Sequence, residues 1–138
     1  MTSAAAALCL VLGAKTVTLP TDHLTLAWTH SIEKSEWQED YRLVDRRLIL
    51  TEARIEGTGA GMEPPPDARF EAGWWRYRPK LAPLPELRLT LSAYTADYRL
   101  CWDGACRPLR GLFGRNAPDG VVILAACPES GAPAGTTK

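Results

Sequence analysis

Between His30 and Glu39 the chain gathers an imidazole, three carboxylates (Glu33, Glu36 and Glu39), the ammonium of Lys34 and the indole of Trp37. Such a set suits recognition of a polar ligand or acid–base chemistry, because histidine changes charge near neutral pH. It supplies a base without an evident nucleophile. Ser31 adjoins His30, and neighbours on a strand point to opposite faces. The structural alternative is that His30 ends a strand and bonds locally while Glu33 and Lys34 form a solvated turn.

A second candidate follows at Gly57, Gly59 and Gly61, with Met62, Glu63 and three prolines (Pro64, Pro65 and Pro66) behind them. Glycines at alternate positions let backbone N–H groups converge as a nest for a carboxylate or phosphate, and the prolines stiffen the loop. The segment lacks the Lys-Ser/Thr that closes a P-loop and lacks GxGxxG between strand and helix, which argues against nucleotide binding. The competing reading is a sharp crossing loop with Met62 in the core. Trp74, Trp75 and Tyr77 form a third candidate, an aromatic wall over a ligand or the anchor of an interface. Trp74 and Trp75 face opposite ways on a strand, so an exposed one of the two marks an interface.

The four cysteines bear on compartment. Asp103-Gly104 is a two-residue hairpin signal, since both positions take positive φ. Trp102 then faces Ala105, and one step outward Cys101 faces Cys106 with Cα atoms about 4.5 Å apart, within disulfide reach. Cys9 and Cys127 lie in the first and last apolar runs and can bridge if those strands are neighbours. Four cysteines allow three connectivities, and four reduced thiols remain the alternative. Zinc is disfavoured because the C-x4-C spacing has no second Cys or His pair beside it; no metal or cofactor is expected.

The elements that must position these residues read as strands. Leu8–Leu12 and Thr16–Leu19 flank Gly13. Leu24, Leu26, Trp28 and His30 alternate with Thr25, Ala27 and Thr29, the pattern of a half-buried strand. Trp37–Val44 and Leu48–Ile55 form a hairpin through Asp45, Arg46 and Arg47. Phe70–Arg78 is an aromatic strand or strand pair turning at Gly73. Leu87, Leu89 and Leu91 point inward on the clearest strand. A hairpin runs from Tyr98 to Leu109, Val121–Cys127 closes the domain, and no stretch reads as a helix. Residues 1–127 make one domain and 128–138 a loose tail.

Composition agrees with one small β-rich unit. The chain has 138 residues, 46% of them hydrophobic, with eleven glycines and eleven prolines dispersed along it. Sixteen basic residues balance sixteen acidic ones, so no broad field attracts nucleic acid or anionic lipid. No apolar run reaches the length of about 18 residues that a transmembrane span needs. Ala4–Ala14 has the length of a signal-peptide core, but no Lys or Arg precedes it and no clear small-x-small site follows, so it is at best a weak N-terminal export signal; the preferred reading makes Leu8–Leu12 the first strand, with any export signal upstream.

Three stretches together carry a family resemblance: His30-Ser31-Ile32-Glu33-Lys34 with Trp37 and Glu39; Gly57 through Pro66; and Cys101-Trp102-Asp103-Gly104-Ala105-Cys106. The chain resembles the bacterial domain-of-unknown-function family DUF1850 over about Leu8 to Cys127. The resemblance implies a small exported or periplasmic protein encoded beside TAXI-type TRAP transporters, which import organic acids through an extracytoplasmic solute receptor. No activity comes with it.

The expected fold is therefore an all-β antiparallel sandwich or partly closed barrel of about eight to ten strands. The expected function is a non-catalytic accessory or binding protein of such an uptake system, touching the TRAP solute receptor, the permease or a small anionic solute. If His30, Glu33, Lys34 and the glycine loop converge, they form one polar site for an anion. The rivals are a small periplasmic hydrolase using His30 with Glu33 or Glu39, and a structural domain with no small-molecule site.

Overall fold

A computed structural model describes residues 7–30, 34–57 and 66–128. The strands in chain order are β1 (Leu8–Leu12), β2 (Lys15–Leu19), β3 (His23–Thr29), β4 (Glu36–Val44) and β5 (Arg47–Glu56). They continue as β6 (Arg69–Glu71), β7 (Trp74–Tyr77), β8 (Leu87–Leu91), β9 (Arg99–Trp102), β10 (Ala105–Pro108) and β11 (Gly120–Ala126). A single turn of helix, α1 (Leu109–Phe113), lies between β10 and β11.

Tight turns fold the short apolar runs back on themselves. At Asp103-Gly104 the φ angles are 54° and 77°, at Ala72-Gly73 52° and 87°, and at Asp45-Arg46 52° and 64°. Positive φ at both central positions matches the right-handed twist of the flanking strands. The third of these turns has no glycine, so the pairs Val44–Arg47 and Leu43–Leu48 must hold it. Arg46 adds a hydrogen bond from Nη2 to the Cys127 carbonyl at 2.9 Å.

Two antiparallel sheets result, in the orders β2-β1-β11-β8 and β10-β9-β3-β4-β5-β7-β6. They form a sandwich; neither sheet closes on itself, so the barrel alternative is not realised. Among the described residues there are eleven strands, one above the expected range, with Phe70–Arg78 split at Gly73 into β6 and β7 and the two opening strands separated at Gly13 as expected. Helix α1 is the other departure from expectation. Leu109 and Phe113, one turn apart, are both buried, but five residues are too few to show helical periodicity in sequence. The helix stops at Gly114, whose φ is 103°.

The core lies between the sheets. Leu8, Leu10, Val122 and Leu124 from the small sheet and Leu48 and Leu100 from the large one are 0% exposed, each contributing about 2 kcal/mol of transfer free energy. A β-bulge keeps β5 in this core. Register slips between Asp40 and Tyr41, so that Asp40 faces Glu52 while Tyr41 faces Leu50 and Thr51 is left over. The extra residue switches parity: Leu48 and Leu50 point inward before it, Ala53 and Ile55 after it, and all four are buried.

Both disulfides form. Cys9 bonds Cys127 across the neighbouring strands β1 and β11, with Cα atoms 4.9 Å apart, and Cys101 bonds Cys106 across the β9–β10 hairpin at 4.0 Å. With no free cysteine left, the chain fits an oxidising, extracytoplasmic environment. Among the described residues no helix is long and apolar enough to cross a membrane.

Candidate ligand-binding face

The register of the large sheet sets the site. Trp28 pairs with Trp37, Trp37 with Ile55, Ile55 with Trp75 and Trp75 with Phe70. Tyr98 packs edge-on to Trp28 at 5.9 Å between centroids. Side chains directly opposite one another share a face, so these residues form one row across the inner face at one end of the sheet. Trp28 and Trp37 stack at 6.0 Å, and Phe70 meets Trp75 at 5.0 Å. His30 lies just beyond β3 and stacks on Trp37 at 5.8 Å.

This row is incompletely covered. Trp28 and Tyr98 touch the core enclosed by the two sheets, whereas Trp37, Trp75 and Tyr77 are half-buried and stand outside that cluster. Phe70 is 49% exposed. The indole N–H groups of Trp37 and Trp75 are buried yet find no acceptor among the described residues, an arrangement that costs free energy unless something else accepts them.

One step inward the next row reads Leu100, Leu26, Glu39, Ala53 and Tyr77. Glu39 is its one ionisable carboxyl. The Tyr41 hydroxyl donates to Glu39 Oε1 at 2.8 Å, and the buried Ala53 lies opposite Glu39 on β5. No ion pair to Glu39 occurs among the described residues. Burial raises the proton affinity of Glu39, and the Tyr41 hydrogen bond offsets this only in part. Tyr41, Tyr77 and Tyr98 all hold their protons more tightly, first through burial and then through the Glu39 charge.

The outer face of the same strands follows the opposite rule. Glu36 pairs with Arg99 at 2.7 Å, Asp40 takes two hydrogen bonds from Arg54 at 2.8 Å, and Glu52 is shared by Arg54 and Arg76 at 2.8 Å. This ladder also roofs Ala27, which is 2% exposed although it lies on the face away from the core.

The sign of the Glu39 effect is testable. The folded chain binds this proton more tightly than the unfolded chain, so the stability it confers is complete below its ordinary value of 4.5 and is lost as pH rises through the folded value. Glu39→Gln keeps an acceptor for Tyr41 and removes the charge. The variant is expected to be more stable than the parent by about 1 kcal/mol near pH 7 and to gain nothing near pH 4, by urea denaturation at both pH values. Equal stability near neutrality would contradict an uncompensated carboxylate.

The candidates from sequence are thus distributed unevenly. His30, Trp37, Glu39 and Trp75 come together at one end of the inner face. Gly57 lies at the same end, its φ at 112° and its N–H bonded to the Gly73 carbonyl at 2.9 Å. Lys34 sits on the adjoining turn with φ 61°, its N–H bonded to the His30 carbonyl at 2.9 Å. Trp74 points to the outer face, opposite Glu56 and Glu71. Glu33, Gly59, Gly61, Met62 and Glu63 lie outside the described residues. Sequence reasoning missed Trp28, Tyr98, Tyr41 and Ala53 as members of the site; the signal was their parity, visible only once Trp28 is paired with Trp37.

Residues 24–109 match the domain of unknown function DUF1850. That stretch holds nearly all of the large sheet, including both rows and the Cys101–Cys106 hairpin. No curated protein and no solved structure matches the chain. The match covers more than half of the chain and contains every residue of the aromatic face, and on that ground the protein belongs to the DUF1850 family.

Proposed function

We propose that this protein is a non-catalytic, periplasmic binding module that serves a TAXI-type TRAP organic-acid uptake system. The observation that carries the binding reading is the partly exposed aromatic row Tyr98, Trp28, Trp37, Trp75 and Phe70. Large aromatic side chains only partly covered at one end of a sheet, with Phe70 exposed, supply contact area at low entropic cost, as binding hot spots do. The two disulfides support the compartment, and the transporter link rests on the family resemblance, an associational warrant. The partner is the solute receptor or the permease, with a small anionic solute near Lys34 as the smaller alternative occupant.

The test is to tag the protein at its C terminus, express it in its native host and identify what co-purifies from periplasm and solubilised membrane. Recovery of a TRAP receptor or permease, lost when Trp37 and Phe70 are both replaced by serine, is the expected result. Return of the protein alone, in replicates where other periplasmic complexes survive, overturns the accessory role.

The raised proton affinity of Glu39 favours one second reading, a small hydrolase in which Glu39 passes a proton. It requires turnover that falls by orders of magnitude in Glu39→Gln.

A further inference from the structure

A groove of about 490 Å³ on the outer face runs past Thr25, Asp40 and the Cys101–Cys106 bridge. Asp40 is already bound twice by Arg54 and once by the Thr25 hydroxyl at 2.6 Å, so it has no free valence for a ligand. A larger cavity of about 920 Å³ lies at one end of the small sheet, between the β1–β2 turn and the loop that leads from α1 into β11. Small-molecule sites have volumes of about 300–1,000 Å³. The hydrogen-bonding groups of this cavity are unevenly spent.

Its acceptors are largely taken. Asp119 accepts from Arg110 Nη2 through Oδ1 at 2.7 Å and from the Ala93 N–H through Oδ2 at 3.2 Å. The Phe113 carbonyl accepts from Lys15 Nζ at 2.8 Å, and the Ala117 carbonyl from Arg110 Nη1 at 2.6 Å. The Gly114 carbonyl accepts from the Ala117 N–H at 2.9 Å. The cationic donors remain open. An ammonium has three N–H groups, and the one bond from Lys15 leaves two of them over. Neither Lys15 nor Arg115 pairs with a carboxylate among the described residues. Asp119 is the one acid that lines the cavity, and Arg110 neutralises it. Lys15 and Arg115 are therefore the uncompensated charges, and the site favours an anion over a cation. Charge-assisted bonds to a carboxylate are about twice as strong as neutral ones, and a guanidinium fork matches its two oxygens. Much of the remaining lining is apolar. Leu12 and Pro118 contribute to it, and Val121 is an aliphatic side chain left 46% exposed there.

We propose that this cavity binds an organic carboxylate with an apolar body, its carboxylate held by Lys15 Nζ and the Arg115 guanidinium and its hydrocarbon resting on Leu12, Pro118 and Val121. The apolar lining is what selects such a molecule over inorganic phosphate, which would use the two cations and leave the aliphatic surface wet. The site is separate from the aromatic face and lies outside residues 24–109. It does not depend on the accessory role, which stands or falls on its own co-purification result.

The experiment is calorimetric titration of the whole oxidised protein with hexanoate, acetate, n-hexanol and inorganic phosphate, with amide chemical shifts followed at Gly13, Gly114 and Gly120, which line the cavity. Hexanoate is expected to bind saturably with a dissociation constant of about 1 mM or tighter. Acetate, which lacks the body, and n-hexanol, which lacks the charge, are each expected to bind about tenfold more weakly or worse. Arg115 is exposed and holds no other element in place, so Arg115→Gln should fold as the parent does and lose about fivefold or more in affinity for hexanoate. Lys15→Gln keeps an N–H for the Phe113 carbonyl, removes the charge and should lose as much. Arg88→Gln removes an exposed cation from β8 in the same sheet and should leave binding unchanged. Equal binding of n-hexanol means an apolar cleft without anion recognition, and equal or tighter binding of phosphate means an anion site without selection for a body; either overturns the proposal. It is overturned as well by no saturable binding of hexanoate, by unchanged affinity in both Arg115→Gln and Lys15→Gln, or by shifts that leave all three glycines unmoved.

Discussion

Replacing Cys9 and Cys127 together with alanine is expected to destabilise the protein by about 5 kcal/mol, whereas replacing Cys101 and Cys106 together should cost about 2 kcal/mol. The two bridges differ in what they deny the unfolded chain. Cys9 and Cys127 are 118 positions apart and close nearly the whole described sequence into one loop; Cys101 and Cys106 are five apart. Loop-closure entropy grows with the logarithm of that separation. The hairpin is also closed without its bridge, because Asp103 and Gly104 already form the turn and Trp102 pairs with Ala105. The terminal bridge has no such substitute. It joins β1 to β11 at the point where the Cys127 N–H bonds the Ala7 carbonyl at 3.0 Å. A domain of this size has a total stability of about 5–15 kcal/mol. The Cys9/Cys127 variant should therefore be marginal and its parent should be sensitive to reductant. Guanidinium denaturation of both double variants under oxidising conditions measures the ranking, and equal losses would refute the entropic account.

Period-two alternation and turn chemistry make much of this fold legible in the sequence. Leu87, Leu89 and Leu91 show the inward face of β8 directly, and the Asp-Gly turn locates Cys101 opposite Cys106 because a two-residue loop sets register without ambiguity. The β5 bulge was hidden for the reason that makes it useful. Leu48 and Leu50 alternate in one phase and Ala53 and Ile55 in the other, and a break in alternation reads equally as a loosely patterned strand. The Asp45-Arg46 turn carries no glycine, so its positive φ values are imposed by the strands it joins and not by its own residues. The aromatic face was legible only in pieces. Trp37 and Trp75 were candidates, but their meeting depends on pairings across β3, β4, β5 and β7 that lie far apart in sequence.

Glu39 and Asp40 show how a single strand position decides chemistry. They are adjacent, chemically similar and equally polar on paper. Alternation sends Asp40 outward to Arg54 and Glu39 inward to tyrosines and tryptophans. Burial raises the proton affinity of both. In Asp40 the hydrogen bonds from Arg54 and Thr25, with the positive charges of Arg54 and Arg76, outweigh that effect and hold the carboxyl below the usual range. In Glu39 nothing outweighs it.

That balance makes Arg54 the most consequential single side chain on the outer face. Its side chain is 13% exposed, and its guanidinium holds Asp40 through both Nη atoms, Glu52 through Nη1 and the Gln38 side-chain oxygen through Nε at 3.0 Å. Arg54→Met preserves the volume of the stem and removes the charge. It leaves Asp40 without its direct counter-ion and Glu52 with Arg76 alone, at an expected cost of about 2–3 kcal/mol near pH 7. Arg54→Lys should lose about half as much, since an ammonium restores charge without the fork that grips both Asp40 oxygens. The pH dependence separates this mechanism from lost packing. In the parent the Asp40 contribution is present above its ordinary value of 3.8 and disappears as pH falls through its lower folded value. In Arg54→Met burial acts on Asp40 against only the Thr25 hydrogen bond and the Arg76 charge, its proton affinity rises, and acid neutralises the very charge that destabilises the variant. The stability gap between parent and variant should therefore shrink as pH drops from about 7 to 4. A gap that stays constant over that range would mean that Arg54 stabilises the sheet through its aliphatic stem and not through its charge.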